Sequence, residues 1–263
     1  MNNHYYWIHW SRNVFRKRIA VLREVITKRL LPTFDLIDQE ADTISDEKWE
    51  RLNAIDDPDG DPAMDAEAAE EAGICHYLAM SDAKQGILNL FAVALHHLVE
   101  QQQLTVIREE FVEADETHEG KKSKSPKFAS KNDALRSFLS KNPKIFAEFK
   151  VRMSAEGIEI EKFPSCAKLD ELRFLANTIK HAAGYSAEEL RTKRPDIFVP
   201  PGITKLGLSS IETPSYLPFE PLSGQDIYVT RNDLEQYFDA ADLFWRDFEN
   251  ALASIGDSQL DAS

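Results

Sequence analysis

Apolar residues recur at spacings of three and four along most of this chain, which predicts helices rather than strands. Phe15, Ile19, Leu22, Ile26 and Leu30 draw one stripe that stops before Pro32, with Ser11 placed as a cap. A second helix is predicted over 33–52, with a fresh start where Ser45-Asp46-Glu47-Lys48 resembles a capping sequence. Residues 64–113 read as helical throughout, interrupted near Ser81. Ile87, Leu90, Phe91, Ala94, Leu95, Leu98, Gln102, Ile107 and Phe111 form a broad stripe there, with Gln101 to Gln103 mostly off it. Short helices are predicted over 132–140 and 143–155, the second closed by Gly157. Ser165 is placed to cap a helix over 166–183 that Gly184 ends, and a further short helix starts at Ser186. The last helix starts at Thr230 or Asn232 and carries Leu234, Tyr237, Phe238, Ala241, Phe244, Trp245, Phe248 and Leu252 on one face.

Between these helices lie two stretches that the pattern leaves irregular. Residues 113–131 pile up acids and then Lys121, Lys122, Lys124, Lys127 and Lys131, with little to bury, which predicts a mobile loop. Prolines and glycines forbid long helix over 199–229. One or two short strands are allowed there, with Asp226 to Val229 the better candidate. The expectation is a mainly α protein, a single helical bundle. It divides into a basic helix and acidic segment (1–62), central helices (63–198), and an irregular segment with a terminal aromatic helix (199–263). Core packing explains that aromatic face, and an exposed dimer seam is the alternative.

Charge sharpens the picture. The net charge is -14, and residues 35–71 hold fifteen acidic residues against only Lys48 and Arg51, so nearly the whole excess sits in one segment. The helix before it is basic: Arg12, Arg16, Lys17, Arg18, Arg23, Lys28 and Arg29 oppose only Glu24. Its cationic face could meet phosphate, a membrane surface or the acidic stretch, or be solvated and neutralised within the protein. The turn Asp56-Asp57-Pro58-Asp59-Gly60-Asp61-Pro62, read as a calcium loop starting at Asp57, departs from one because the sixth position is Pro62 and the twelfth Ala68.

No apolar run reaches the roughly 20 residues of a membrane span, and no export signal opens the chain, so a cytoplasmic protein without membrane partners is expected. Cys75 and Cys166 lack the CxxC pairing of a zinc site and read as reduced, buried thiols. The phosphate-binding, dinucleotide, nucleophile-elbow and HExxH patterns are all missing, and no cofactor is expected. His96 and Glu100 stand four apart on a helix and could both face a metal, but no third ligand announces itself, so no metal is assigned.

Chemistry gathers best on the helix over 166–183. At about 100° per residue, Arg173, Asn177, Lys180 and His181 share one narrow sector with Asp170, opposite Leu172, Leu175 and Ile179. Two cations, an amide and an imidazole on one ridge can hold and cleave a phosphodiester. The same arrangement also arises on any amphipathic helix as its solvated face.

Asn177-Thr178-Ile179-Lys180-His181 resembles the motif region of HEPN-type helical bundles, in which an arginine, often followed by asparagine, precedes a histidine by a few residues. Here Ala176 stands just before Asn177, and Arg173 lies one turn earlier. The resemblance implies an all-helical bundle, a homodimer that joins two motif helices into one cleft, and metal-independent RNA cleavage in toxin or host-defence systems. It assigns proton transfer to His181, phosphate contacts to Arg173 and Lys180, and orientation to Asn177 and to Glu100 on an earlier core helix. The competing expectation is a noncatalytic module that binds another protein through its acidic segment or aromatic terminal helix.

Overall fold

In the computed structural model, which describes residues 4–54, 61–112, 140, 145–201 and 224–260, the chain is mainly α-helical and forms a bundle. Helix α1 runs over residues 4–30, beginning well before Ser11. It is α-helical over His4–Trp10 and Arg16–Glu24, with wider π turns at Ser11–Phe15 and Val25–Leu30. Ser11 caps nothing. It is buried mid-helix, and its hydroxyl donates to the carbonyl of Trp245 at 3.0 Å. The earlier start follows from Trp7, which is fully buried against Phe15 and Trp10 and draws the first turns into the core.

After a tight turn at Leu31–Phe34, helix α2 (Ile37–Asn53) runs without a break at Ser45. Helix α3 (Pro62–Ile107) likewise passes straight through Ser81 and continues into a π turn at Arg108–Val112. Its start is well specified, since Asp61 accepts a hydrogen bond from the Ala63 amide at 2.9 Å and Pro62 occupies the first helical position. With 46 residues α3 is about 70 Å long. Its second half crosses the core. Its first half packs on α2 to form a two-helix arm, whose seam is made of Ala41, Ala69 and Gly73. A Cβ on Gly73 would come within 2.8 Å of the Ala41 carbonyl oxygen and 3.2 Å of the Ser45 Cβ. Ser45 is therefore a small seam residue, and this packing overrides its capping tendency.

Helix α4 (Ile145–Ala155) ends at Gly157, whose φ of 83° suits a glycine. Helix α5 (Cys166–His181) ends two residues sooner than its sequence suggests, because Ala182 takes φ 58° ahead of Gly184. Ser165 does not cap it, its hydroxyl pointing instead to Asp247 at 3.4 Å. Helix α6 (Tyr185–Lys193) and a turn at Pro195–Phe198 follow. The predicted loop 113–131 and all but the last residue of the predicted helix 132–140 lie outside the described residues, as does most of 199–229.

No strand forms among the described residues, and this corrects the reading of Asp226 to Val229. Their backbone groups bond instead to side chains of α3 and to one neighbouring turn. Asn89 donates to the carbonyls of Gly224 and Ile227, both at 2.8 Å, and Gln85 donates to Val229 at 3.1 Å. The Tyr228 amide donates to Ile197 at 2.7 Å. With those groups satisfied, no sheet partner is needed.

Helix α7 (Arg231–Leu260) opens on a reciprocal cap. The Asp233 amide donates to the Thr230 hydroxyl at 3.0 Å, and the Asp233 carboxylate accepts from the Thr230 amide at 2.9 Å. Its aromatic face is core, since Tyr237, Phe238, Phe244, Trp245 and Phe248 are all essentially inaccessible, so it is not an exposed dimer seam. No described helix is long and apolar enough to cross a membrane. Cys166 is buried as expected, whereas Cys75 is exposed, and both are free thiols.

Gly73→Ala should force α2 and α3 apart at the arm and cost about 1–3 kcal/mol, an overpacking penalty. Hydrogen exchange should show faster exchange over residues 37–53 with little change in α7; unchanged protection of α2 would contradict the close seam.

Candidate functional site

Three cations of α1 find their partners on α7, not in the acidic segment that follows them. Arg12 bonds Glu249 at 3.2 Å, Arg16 bonds Asp242 at 2.8 Å, and Arg23 bonds Glu235 at 2.6 Å and Asp239 at 2.7 Å. Three of the seven basic residues on this helix are thus spent on holding two helices together, with Lys28 lying 3.6 Å from Glu24.

A second polar cluster knits α5, α6 and α7. Arg194 bonds Glu171 at 2.8 Å, Asp196 at 2.6 Å and Asp233 at 2.7 Å, while Glu171 also accepts from Tyr237 at 2.8 Å and from Lys168 at 3.0 Å. The bond to Asp196 raises the Arg194 guanidinium further, and in return it lowers the Asp196 carboxyl. Burial first, and Glu171 second, push the Tyr237 phenol far above its ordinary value. Each of these groups has a partner, as expected of a polar knot that fixes helix register.

The third cluster brings two buried polar atoms without hydrogen-bond partners onto one small cavity. From α3, His96, Glu100 and Gln103 fall at i, i+4 and i+7 and face Leu169, Leu172 and Arg173 of α5, with Phe146 closing one side. The cavity they line measures about 20 Å³, room for one water molecule and too small for a phosphate group. His96 and Gln103 are almost wholly buried, yet the His96 Nδ1 and the Gln103 Oε1 make no hydrogen bond among the described residues. Native interiors rarely leave two such atoms together.

The electrostatics follow from that burial. Desolvation, reinforced by the charges of Lys180, Arg173 and His97, brings His96 down to about 3, so it is neutral. Its Nδ1 lies 3.6 Å from the Glu100 carboxylate, a proximity and not an ion pair. Burial raises the Glu100 carboxyl, and Lys180, His97 and Arg173 pull it the other way. Arg173 is oriented by Asp170, at 3.1 Å, and its guanidinium stands 4.2 Å from the centre of the Phe174 ring.

Of the residues singled out from sequence, Glu100 and Arg173 therefore meet in one cavity, and Lys180 is close enough to act on both Glu100 and His96. Asn177 is half-buried on the same helix, one turn from each cation. His181 does not line the cavity. It is the exposed last residue of α5, about two turns beyond Arg173, and has no hydrogen bond or ion pair among the described residues. His96 and Gln103 complete the cavity. The sequence signal for them is a polar set at helical spacing inside an apolar helix. No group of three metal-ligating side chains forms among the described residues. The chain matches no family model, no curated protein and no solved structure.

Because His96 stays neutral in the fold down to about pH 3 but takes a proton near 6.5 when unfolded, acidification through that window favours unfolding. The contribution approaches about 1.4 kcal/mol per pH unit. Urea unfolding at pH 6.5 and 4.5 should show the wild-type chain losing up to about 2–3 kcal/mol more than His96→Gln; parallel losses would mean that His96 is protonated in the folded chain.

Proposed function

We propose that this chain is a HEPN-like helical protein that acts on RNA and cleaves it without a metal ion. The observation that carries the reading is the convergence of Glu100 from α3 with Arg173 and Lys180 from α5, two cations over a half-buried carboxyl. The cavity excludes phosphate by size, so the phosphodiester would lie along the outer edge of α5. There Arg173 and Lys180 neutralise the charge that grows as the ribose 2′-oxygen attacks phosphorus and the 5′-oxygen leaves. His181, exposed beside Lys180, takes the 2′-hydroxyl proton and returns it to the leaving 5′-oxygen, while Asn177 and Glu100 hold the cations in place. In this reading the protein works as a toxin or host-defence factor, and two copies bound to one RNA would set two such edges in one cleft.

Labelled single-stranded RNA incubated with excess EDTA should be cleaved by the wild-type chain. Arg173→Ala/Lys180→Ala should lose binding, and His181→Ala should cleave at least about 100-fold more slowly while binding normally. Cleavage that survives His181→Ala removes the role of that residue, and an absence of both binding and cleavage ends the proposal.

A second reading, a noncatalytic interaction module, draws on the arm. The α2–α3 hairpin is strongly acidic and leaves Trp49, Ile74, Tyr77 and Leu78 exposed. The aromatic face of α7, being buried, does not serve it.

A further inference from the structure

One face of α1 and one face of the core half of α3 diverge to leave an apolar trough of about 600 Å³. Val14, Val21, Leu22 and Val25 form one wall, and Ala94 and Leu98 the other. It is open to solvent, with Val21 60% exposed, and Leu90, one turn before Ala94 on the same face of α3, also 60% exposed. Lys17 and Arg18 stand on its rim. Among the described residues they make no ion pair, although Arg12, Arg16 and Arg23 of the same helix are all engaged by acids of α7. The trough is thus an apolar channel with an uncompensated positive edge. Amphipathic helices with acidic flanks dock in such grooves.

The same chain carries a helix of that description. On the arm, Ile74 (51% exposed), Tyr77 and Leu78 (55%) fall at i, i+3 and i+4 of α3. Glu70 and Glu67 continue the same face toward the helix start, and Glu71 flanks it. The reason these side chains are free lies in the seam. Alanines and Gly73 bring α2 and α3 so close that larger apolar residues are placed outside it.

We propose that the acidic arm of one copy of this chain docks in the α1–α3 trough of a second copy. Ile74, Tyr77 and Leu78 fill the channel, and Glu67, Glu70 and Glu71 meet Lys17 and Arg18. The two surfaces are different patches of one chain, so the contact is heterologous, and assemblies grow by whole chains until the rotation closes. It goes beyond the RNA reading, does not depend on it, and gives the arm of the second reading one definite partner.

Light scattering on the full chain, over rising concentration, tests this directly. The weight-average mass should climb above the 29.9 kDa of one chain and fall back as salt screens the charged rim. Lys17→Glu/Arg18→Glu and Ile74→Asp/Leu78→Asp alter exposed side chains, and each should hold at 29.9 kDa with an unchanged helical circular dichroism spectrum. Mixed in equal amounts, the two variants should form a species of twice that mass, since one supplies an intact arm and the other an intact trough. A wild-type chain that stays at 29.9 kDa up to its solubility limit overturns the proposal. So does either variant assembling as the wild type does, or a mixture that stays at the mass of one chain. An RNA assay reads none of these outcomes, so the two proposals fail separately.

Discussion

The burial of one aromatic face on α7 is what the rest of the structure is arranged around. Trp245 lies 4.6 Å from the ring of Phe15 on α1, 6.3 Å from Phe149 on α4, and 5.1 and 5.4 Å from Phe244 and Phe248 on its own helix. These rings are tilted or edge-on, as the aromatic quadrupole prefers, and each buries a large apolar area. Two other helices are thereby fixed to α7 by side chains far apart in sequence. The polar bonds then follow the apolar ones: Ser11 reaches the Trp245 carbonyl, and Arg12, Arg16 and Arg23 reach acids on the flank of α7, because the ring contacts have already set those helices side by side.

Buried polar groups fall into two kinds in this fold. The Arg194 knot is saturated, and its carboxylates and guanidinium gain from mutual bonds what they lose in hydration. The recess between α3 and α5 is not. His96 and Gln103 keep orphaned atoms there and burial raises the Glu100 carboxyl, which means that the fold tolerates a local cost at that spot. Two orphaned atoms on one small cavity are what direct attention to the recess over the better-connected knot.

Much of the helical plan was legible because helix periodicity is a local signal. The stripes over Ile87 to Ile107 and Leu234 to Leu252 needed only side-chain spacing. Misreadings arose where a distant partner decided the outcome. Ser11, Ser45 and Ser165 all look like caps, yet Ser11 is consumed by the α7 backbone, Ser45 by the close approach of Gly73, and Ser165 by Asp247. Asp226 to Val229 has strand-like composition, but Asn89 and Gln85, more than a hundred residues away, take its carbonyls. At the site, the meeting of Arg173 with Glu100 could be anticipated from helix faces, whereas the share of Gln103 depended on how α5 crosses α3. His181 lies outside the recess because it stands about two turns beyond Arg173, at the end of α5.

The unbroken course of α3 has a mechanical consequence. From Ile74 on the arm to Glu100 in the recess the chain is one helical rod, roughly 39 Å long, with no proline and no loop to act as a joint. Torque applied to the arm can be absorbed by bending the helix or by slippage where Asn89 grips the Gly224 and Ile227 carbonyls. What is left arrives as rotation of His96 and Glu100 against α5. The protruding hairpin and the recess are two ends of a single lever.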